Sequence, residues 1–205
     1  MRIAFVGAYG NGKTTLTTEL SQRLGLQRSH GSAMRDPAGG VPKALEETTA
    51  PELIQLGVRR FAERAAEENR TERGFLSDGS VLHEWVYSKV RLSAGRHPEP
   101  SVTLADAPAR DDISKPYEEV VDQVGLLAQE YARSGYDLII HCPVEFPLPA
   151  GHSPISERFR TLSDELMLEM VGTLGLPVHI VTGTLEERIA QVMALPGVSA
   201  TLVQA

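Results

Sequence analysis

The residues whose spacing points most directly to chemistry lie close to the N-terminus. Residues 7–14 read GAYGNGKT and match the pattern G-x-x-x-x-G-K-[ST]. Glycines at these positions let several backbone N–H groups point at one anion, Lys13 can reach the β- and γ-phosphates, and the Thr14 hydroxyl can ligate Mg²⁺. The pattern predicts a phosphate-binding loop, and a plain glycine-rich turn is the alternative. The candidate binding residues are Gly7, Tyr9, Gly10, Asn11, Gly12, Lys13, Thr14 and Thr15.

A nucleotide-bound Mg²⁺ usually needs a carboxylate from the end of a neighbouring strand. Asp78 follows the apolar run GFLS, which places it where open α/β sheets bind ligands. We expect Asp78 to ligate Mg²⁺ with Thr14, to accept the proton of an attacking hydroxyl, or to do both. The alternative is an N-cap for the next helix. Asp137 is a rival, but it opens its strand and should lie at the opposite end of the sheet.

Short apolar runs alternate with amphipathic stretches along the rest of the chain. This alternation predicts a mostly parallel sheet covered by helices on both faces. The predicted strands are 2–6, 26–30, 74–77, 137–142 and 177–181, and the predicted helices are 13–24, 51–71, 80–92, 115–133, 155–174 and 185–194.

Composition limits the class of protein. The 205 residues carry a net charge of −7, which argues against a surface that coats nucleic acid. One cysteine, Cys142, excludes an intramolecular disulfide framework, and no apolar stretch is long enough to span a membrane. We therefore predict one cytoplasmic domain, residues 1–205, without nucleic-acid or membrane partners.

Other classes of phosphate-loop protein lack support in the sequence. The Asn-Lys-x-Asp sequence of guanine-selective GTPases and the Leu-Ser-Gly-Gly signature of transporter ATPases are both missing. The chain is also shorter than the usual two-part ring ATPase. These exclusions leave the small kinases.

The chain resembles the P-loop nucleoside and nucleotide kinases, nearest the branch of nicotinamide riboside kinase and thymidylate-kinase-like proteins. The resemblance covers nearly the whole chain, and only its first piece is specific alone. The matching pieces are GAYGNGKTT (7–15), Arg35 in SAMRDP, PELIQLGVRRFAER (51–64), FLSDGS (75–80), DLIIHCPVEFP (137–147), ISERFR (155–160) and VTGTLEERI (181–189).

The resemblance implies a P-loop NTPase three-layer sandwich with strand order 2-3-1-4-5 and ATP as phosphoryl donor. It also implies a lid at about 146–162 that brings Arg158 to the transferred phosphate, and it leaves open whether Arg160 joins it. A guanidinium supplied on closure would stabilise the charge of the transition state. The alternative is that both arginines are solvated helix charges paired with Glu157 or Asp164.

By the same resemblance, Gly183, Thr184 and Arg188 would lie by the adenine, with a plain turn and a surface charge as the alternative. Arg35, Gln55 and Arg59 would face the acceptor. The chain departs from the family at Ser32, where many relatives carry an acid. It departs again at Asp78-Gly79, where nucleoside kinases often have an acid–arginine pair. Both departures concern the acceptor side.

We therefore predict an ATP- and Mg²⁺-dependent kinase that uses Lys13, Asp78 and Arg158 in catalysis and phosphorylates a nucleoside-like acceptor. The expected partner is that small molecule, and a homodimer is left open. Two alternatives remain. One is a nucleotide-dependent regulatory ATPase or binding module, and the other is a biosynthetic kinase for a sugar- or amino-acid-derived substrate.

Overall fold

A computed structural model describes residues 1–30, 44, 47–95, 98–105, 114–148 and 155–198. Within these ranges the chain alternates between strands and helices. The strands are β1 (Arg2–Val6), β2 (Gln27–His30), β3 (Phe75–Asp78), β4 (Leu138–His141) and β5 (Val178–Ile180). The helices are α1 (Lys13–Leu24), α2 (Ala50–Glu68), α3 (Leu82–Ala94), α4 (Ser114–Gly135), α5 (Glu157–Gly172) and α6 (Leu185–Met193).

The five strands form one parallel sheet in the order β2-β3-β1-β4-β5. Parallel neighbours require crossover connections, and the helices between the strands supply them. The predicted strand order is confirmed, and the fold is that of a P-loop NTPase. Because all five strands run the same way, their carboxyl ends share one edge of the sheet.

Side-chain alternation along the strands divides the core into two layers. Ile3 and Phe5 of β1 pack on one face with residues of α1 and α6, whereas Ala4 and Val6 pack on the other with residues of α3, α4 and α5. Helices therefore cover both faces, as predicted for a three-layer sandwich. The alternation also sends successive residues of β3 to opposite faces: Ser77 toward the α2–α4 side and Asp78 toward α1.

Every predicted helix and strand is present, with boundaries shifted by no more than about three residues. Among the described residues, no helix is both long and apolar enough to cross a lipid bilayer. Arg35 and residues 149–154 of the predicted lid lie outside the described residues, so those parts of the site stay predictions.

Candidate active site

The loop between β1 and α1 lies against the end of β4. Gly7 has φ +131°, and a Cβ built there would lie 2.2 Å from the backbone oxygen of Cys142. Only glycine fits so close an approach. Gly12 is the N-cap of α1 in the left-handed conformation, which turns the loop directly into the positive end of the helix.

Lys13 lies within the curve of this loop. Its ammonium group donates to the backbone oxygens of Gly7 at 2.8 Å and Ala8 at 2.7 Å. Burial lowers the pKa of Lys13 from its ordinary value, while the charge of Asp78 acts in the opposite direction. The Lys13 side chain therefore folds back onto the loop and does not extend into solvent.

Thr14 and Asp78 meet across the edge of the sheet. The Thr14 hydroxyl donates to Oδ1 of Asp78 at 3.2 Å, and Asp78 is only 8% exposed. The N-cap alternative for Asp78 is wrong, because the N-cap of α3 is Val81 and no side chain caps that helix. Asp137 pairs with Arg2 at 2.6 Å at the opposite end of the sheet, where it was expected.

Two side chains of β2 approach the other oxygen of Asp78. Arg28 Nη1 and His30 Nδ1 each lie 3.9 Å from Oδ2. Arg28 also donates to the backbone oxygen of Thr14 at 3.3 Å and to the Thr18 hydroxyl. The positive charge of Arg28 partly neutralises the buried Asp78 carboxylate on the Oδ2 side. On the Oδ1 side, the carboxylate faces the hydroxyl oxygen of Thr14.

Arg160 holds the loop from the side of α5. Its Nε donates to the backbone oxygen of Tyr9 at 2.7 Å, and Nη2 donates to Oδ1 of Asn11 at 2.6 Å. Nη1 donates to the Phe146 oxygen at 3.0 Å and to Glu157 at 2.7 Å. The pairing with Glu157 was foreseen as the alternative, but Arg160 is fully buried and not a solvated charge.

Arg188 holds the same loop from the side of α6. It is 2% exposed, and its Nη1 donates to the backbone oxygen of Asn11 at 2.8 Å. Nε donates to the Gly183 oxygen at 3.0 Å, and Nη2 pairs with Glu145, which also accepts from the Gly183 N–H at 3.1 Å. Gly183 and Arg188 are therefore brought together beside the loop, whereas Thr184 caps α6.

The buried His83 and the half-buried Asp164 fix the first residues of the loop. His83 Nδ1 accepts from the Ser80 N–H at 3.0 Å, so its Nε2–H is the donor to the Gly7 oxygen at 2.9 Å. Burial and the charge of Lys13 hold the pKa of His83 well below its usual value. Asp164 accepts from the Ala8 N–H at 3.1 Å and contacts His141 at 3.0 Å.

A cluster of polar side chains on α2 and α3 begins one residue after His83. Glu84 is 3% exposed, and its Oε2 accepts from Arg60 Nε at 2.7 Å. Its Oε1 is buried and has no hydrogen-bond partner in the described part of the chain. Tyr87, one turn further, packs edge-on to His83 with 5.5 Å between ring centroids. We name Arg60, Glu84 and Tyr87 the α2–α3 wall.

The remaining predicted site residues occupy separate positions. Tyr9 and Thr15 are exposed at the loop. Gln55 is exposed on α2, and Arg59 lies 3.6 Å from Glu63 on the same helix. The half-buried Arg158 donates to the backbone oxygen of Val102, so in this conformation it holds residues 98–105. The roles assigned to these residues stay predictions.

Sequence reasoning missed several of these groups. It weighed Asp164 only as a pairing partner, and it did not single out Arg60, His83 or Glu84. A signal existed for Arg60. Arg60 and Arg64 continue the four-residue spacing set by Leu56 on α2, so they fall on the stripe that faces the core.

Comparison with solved structures places the same fold in nucleoside kinases. The chain superimposes on deoxyadenosine kinase from M. mycoides with bound dATP at a TM-score of 0.68 and 15% identity, covering 94% of this chain and 97% of that one. The same enzyme with its products dCMP and dCDP gives a TM-score of 0.62 at 15% identity, over 94% and 96% of the two chains. A search of curated proteins returned no match.

The sheet order, the loop and its helix define a P-loop nucleotide-binding domain. A family model described as "AAA domain" matches residues 2–188, and the chain belongs to that family. The description does not itself name a kinase. The fold is therefore established, while the activity rests on the geometry of the site.

Proposed function

We propose that the protein is an ATP- and Mg²⁺-dependent kinase that transfers the γ-phosphoryl group to a hydroxyl or phosphate of a nucleoside-like acceptor. The observation that carries the proposal is the contact between Thr14 and Asp78 at the mouth of the loop. It places a hydroxyl and a carboxylate together beside Lys13, in a fold shared with deoxyadenosine kinase.

The oxygen donors of this pair fit magnesium. Mg²⁺ takes hard oxygen ligands and is bound through one or two protein groups together with phosphates. Thr14 and Asp78 would hold it, and the ion would neutralise charge on the phosphates. Lys13 and the loop N–H groups bind the β- and γ-phosphates, and Asp78 orients or deprotonates the acceptor hydroxyl.

The α2–α3 wall supports an acceptor site next to the loop. His83 contacts the loop directly, and Tyr87 of the wall packs against the His83 ring. A buried carboxylate oxygen without a partner is costly unless a ligand donates to it. Oε1 of Glu84 is such an atom, and an N–H or O–H of a base or sugar would satisfy it.

The lid arginine is the remaining part of the proposed mechanism. Arg158 and Arg160 lie two residues apart at the start of α5, but Arg160 is occupied with the loop. We assign the phosphate contact on closure to Arg158, whose bond to Val102 would be exchanged for one to the transferred group. Closure also excludes water and so suppresses hydrolysis.

The experiment is a screen for acceptor-dependent ADP formation with ATP and magnesium. Nucleosides, nucleoside monophosphates and small alcohols are compared, with nicotinamide riboside and thymidylate included because the sequence resembles their kinases. The phosphorylated product is identified by mass spectrometry. Stimulation by one class, with a matching product, supports the kinase, and a flat background without product contradicts it.

A regulatory ATPase is the second candidate, because the family is described as an AAA domain and not as a kinase. Such a protein needs no acceptor, since water serves as the nucleophile. Arg158→Ala separates the two candidates. A regulatory ATPase keeps its full hydrolysis rate without Arg158, whereas the proposed kinase loses phosphoryl transfer.

A further inference from the structure

Behind the Thr14–Asp78 pair, on the opposite face of the sheet, lies a buried group of charged and hydroxyl side chains. Glu68, near the end of α2, is 2% exposed. Its Oε1 accepts from Ser29 of β2 at 3.0 Å and from Ser77 of β3. Its Oε2 accepts from Tyr131 of α4 at 2.9 Å. Four elements therefore meet at one carboxylate.

Arg64 completes this group one helical turn before Glu68. It is also 2% exposed, and its Nη1 donates to the Ser77 hydroxyl at 3.1 Å and to the backbone oxygen of Asp78 at 3.2 Å. Ser77 thus accepts from Arg64 and donates to Glu68. The hydroxyl joins a buried cation to a buried anion that do not contact each other directly, while Nε of Arg64 is buried without a hydrogen-bond partner among the described residues.

The turn that follows β3 is held by the same group. Gly79 has φ +93°, and a Cβ built on it would lie 3.3 Å from Arg64 Nη2. The hydroxyl of Tyr136, which also approaches Glu68 at 3.4 Å, accepts from the Val81 N–H at 3.2 Å. The backbone of residues 77–81 is therefore fixed from the α2–α4 side on both sides of Asp78.

From this arrangement we infer that Arg64 and Ser77 are positioning residues for the Asp78 carboxylate. They hold the backbone of Asp78 from one face of the sheet, and its side chain leaves on the other face, toward Thr14. A ligand whose backbone is fixed loses less freedom when it binds a metal. This inference rests on the proposed function, because the proposed function assigns magnesium binding to the Thr14–Asp78 pair.

The two serines provide a matched pair of variants. Ser29 and Ser77 are partners in the register of β2 and β3, both are buried, and both donate to Oε1 of Glu68. Only Ser77 also accepts from Arg64 and precedes Asp78. A loss of buried hydrogen bonding is common to Ser29→Ala and Ser77→Ala, whereas a loss of the hydrogen bond to Arg64, which itself donates to the Asp78 backbone oxygen, is specific to Ser77→Ala.

The test measures ATP affinity by calorimetry with excess magnesium and again with EDTA, for the full chain and for Ser77→Ala, Arg64→Lys and Ser29→Ala. The quantity compared is the ratio of the two dissociation constants. We expect Ser77→Ala and Arg64→Lys to reduce the magnesium advantage by about 10-fold or more, as is usual when a group behind a metal ligand is removed. Ser29→Ala keeps the ratio of the unaltered protein.

Each outcome bears on one proposal. Equal loss in Ser29→Ala and Ser77→Ala overturns the positioning role, because a common packing defect then explains both. An unchanged ratio in Ser77→Ala also overturns it and leaves the proposed kinase standing. If Arg64→Lys fails to fold, the serine pair decides. If the unaltered protein binds ATP no better with magnesium, the metal site of the proposed function fails first and the positioning role falls with it.

Discussion

The phosphate loop and the α2–α3 wall are both built from buried polar groups, but they differ in how those groups are used. At the loop, every side-chain nitrogen of Arg160 and of Arg188 donates to a named oxygen. In the α2–α3 wall, Oε1 of Glu84 is buried without a hydrogen-bond partner among the described residues.

The difference shows which part of the site is complete by itself. A loop whose backbone oxygens are already bonded keeps its N–H groups oriented before any nucleotide arrives, so little reorganisation is needed on binding. Unused hydrogen-bonding capacity on the neighbouring helices becomes favourable only when a ligand supplies the partner. Nucleotide binding should therefore tolerate changes in the wall, and acceptor binding should not.

The largest effect is expected at the loop itself. Lys13→Ala removes the ammonium group that the proposal places on the transferred phosphate, so kcat/KM should fall by about 10³-fold. Thermal unfolding should change little, because both hydrogen bonds described for Lys13 are to backbone oxygens of its own loop. Lys115→Ala, on the exposed start of α4, is the control, and undiminished transfer in Lys13→Ala would remove the mechanism.

Arg160→Ala should destabilise the folded conformation of the loop. The carbonyls of Tyr9 and Phe146 and the amide of Asn11 lose a charged donor, which should lower the free energy of unfolding by about 3 kcal/mol. ATP affinity should fall as well. Chemical denaturation and calorimetry measure the two effects. A variant of normal stability with lower kcat alone would place Arg160 on the transferred phosphate instead.

Arg158→Ala should behave in the opposite way. Its described contact is one backbone oxygen, that of Val102, so stability and ATP affinity should be nearly unchanged. Loss of a charge that acts only at closure should lower kcat by about 10²-fold. Rapid-quench measurement of the transfer step tests this. Full transfer without Arg158 would leave the lid without its proposed catalytic group.

Glu84→Gln addresses the wall. The change keeps the size of the side chain but weakens its bond to Arg60 and its capacity to accept from a ligand. KM for the acceptor should rise about tenfold, because the variant loses the free energy of about one hydrogen bond to a charged group. The dissociation constant for ATP should stay constant. Glu130→Gln, on the exposed face of α4, is the control. A change in ATP affinity alone would argue that the wall belongs to the nucleotide site.

The smallest effect concerns pH. His83 is neutral in the folded protein because burial holds its pKa well below the usual value, so the unfolded chain binds more protons as the pH falls below about 6.5. Stability should therefore drop by about 1 kcal/mol between pH 7 and pH 5.5 from this residue. In His83→Gln this contribution to the decrease of stability with falling pH should vanish. The same slope in the variant would exclude His83 as its source.

The fold and the loop were predictable because their signals are local. The spacing of Gly7, Gly12, Lys13 and Thr14 is a contiguous pattern, and the strand order followed from the family resemblance. Asp78 could be placed because it ends an apolar run, which fixes its position at the edge of a parallel sheet.

The supporting residues were not predictable in the same way. Arg160 and Asn11 are far apart in sequence, and nothing in either segment indicates that they bond to each other. Arg64 and Glu68 have the spacing of an ordinary surface ion pair on a helix, yet both are buried and joined through Ser77. Such contacts depend on which elements pack together, and that information is not local.

The central claim is that the loop at Gly7–Thr14 binds the phosphates of a nucleoside triphosphate. A calorimetric titration of the protein with ATP, and separately with GTP, in the presence of magnesium tests it directly. The account predicts saturable binding of at least one of them with a dissociation constant below about 1 mM, lost in Lys13→Ala. Absence of any association at millimolar nucleotide would contradict the account.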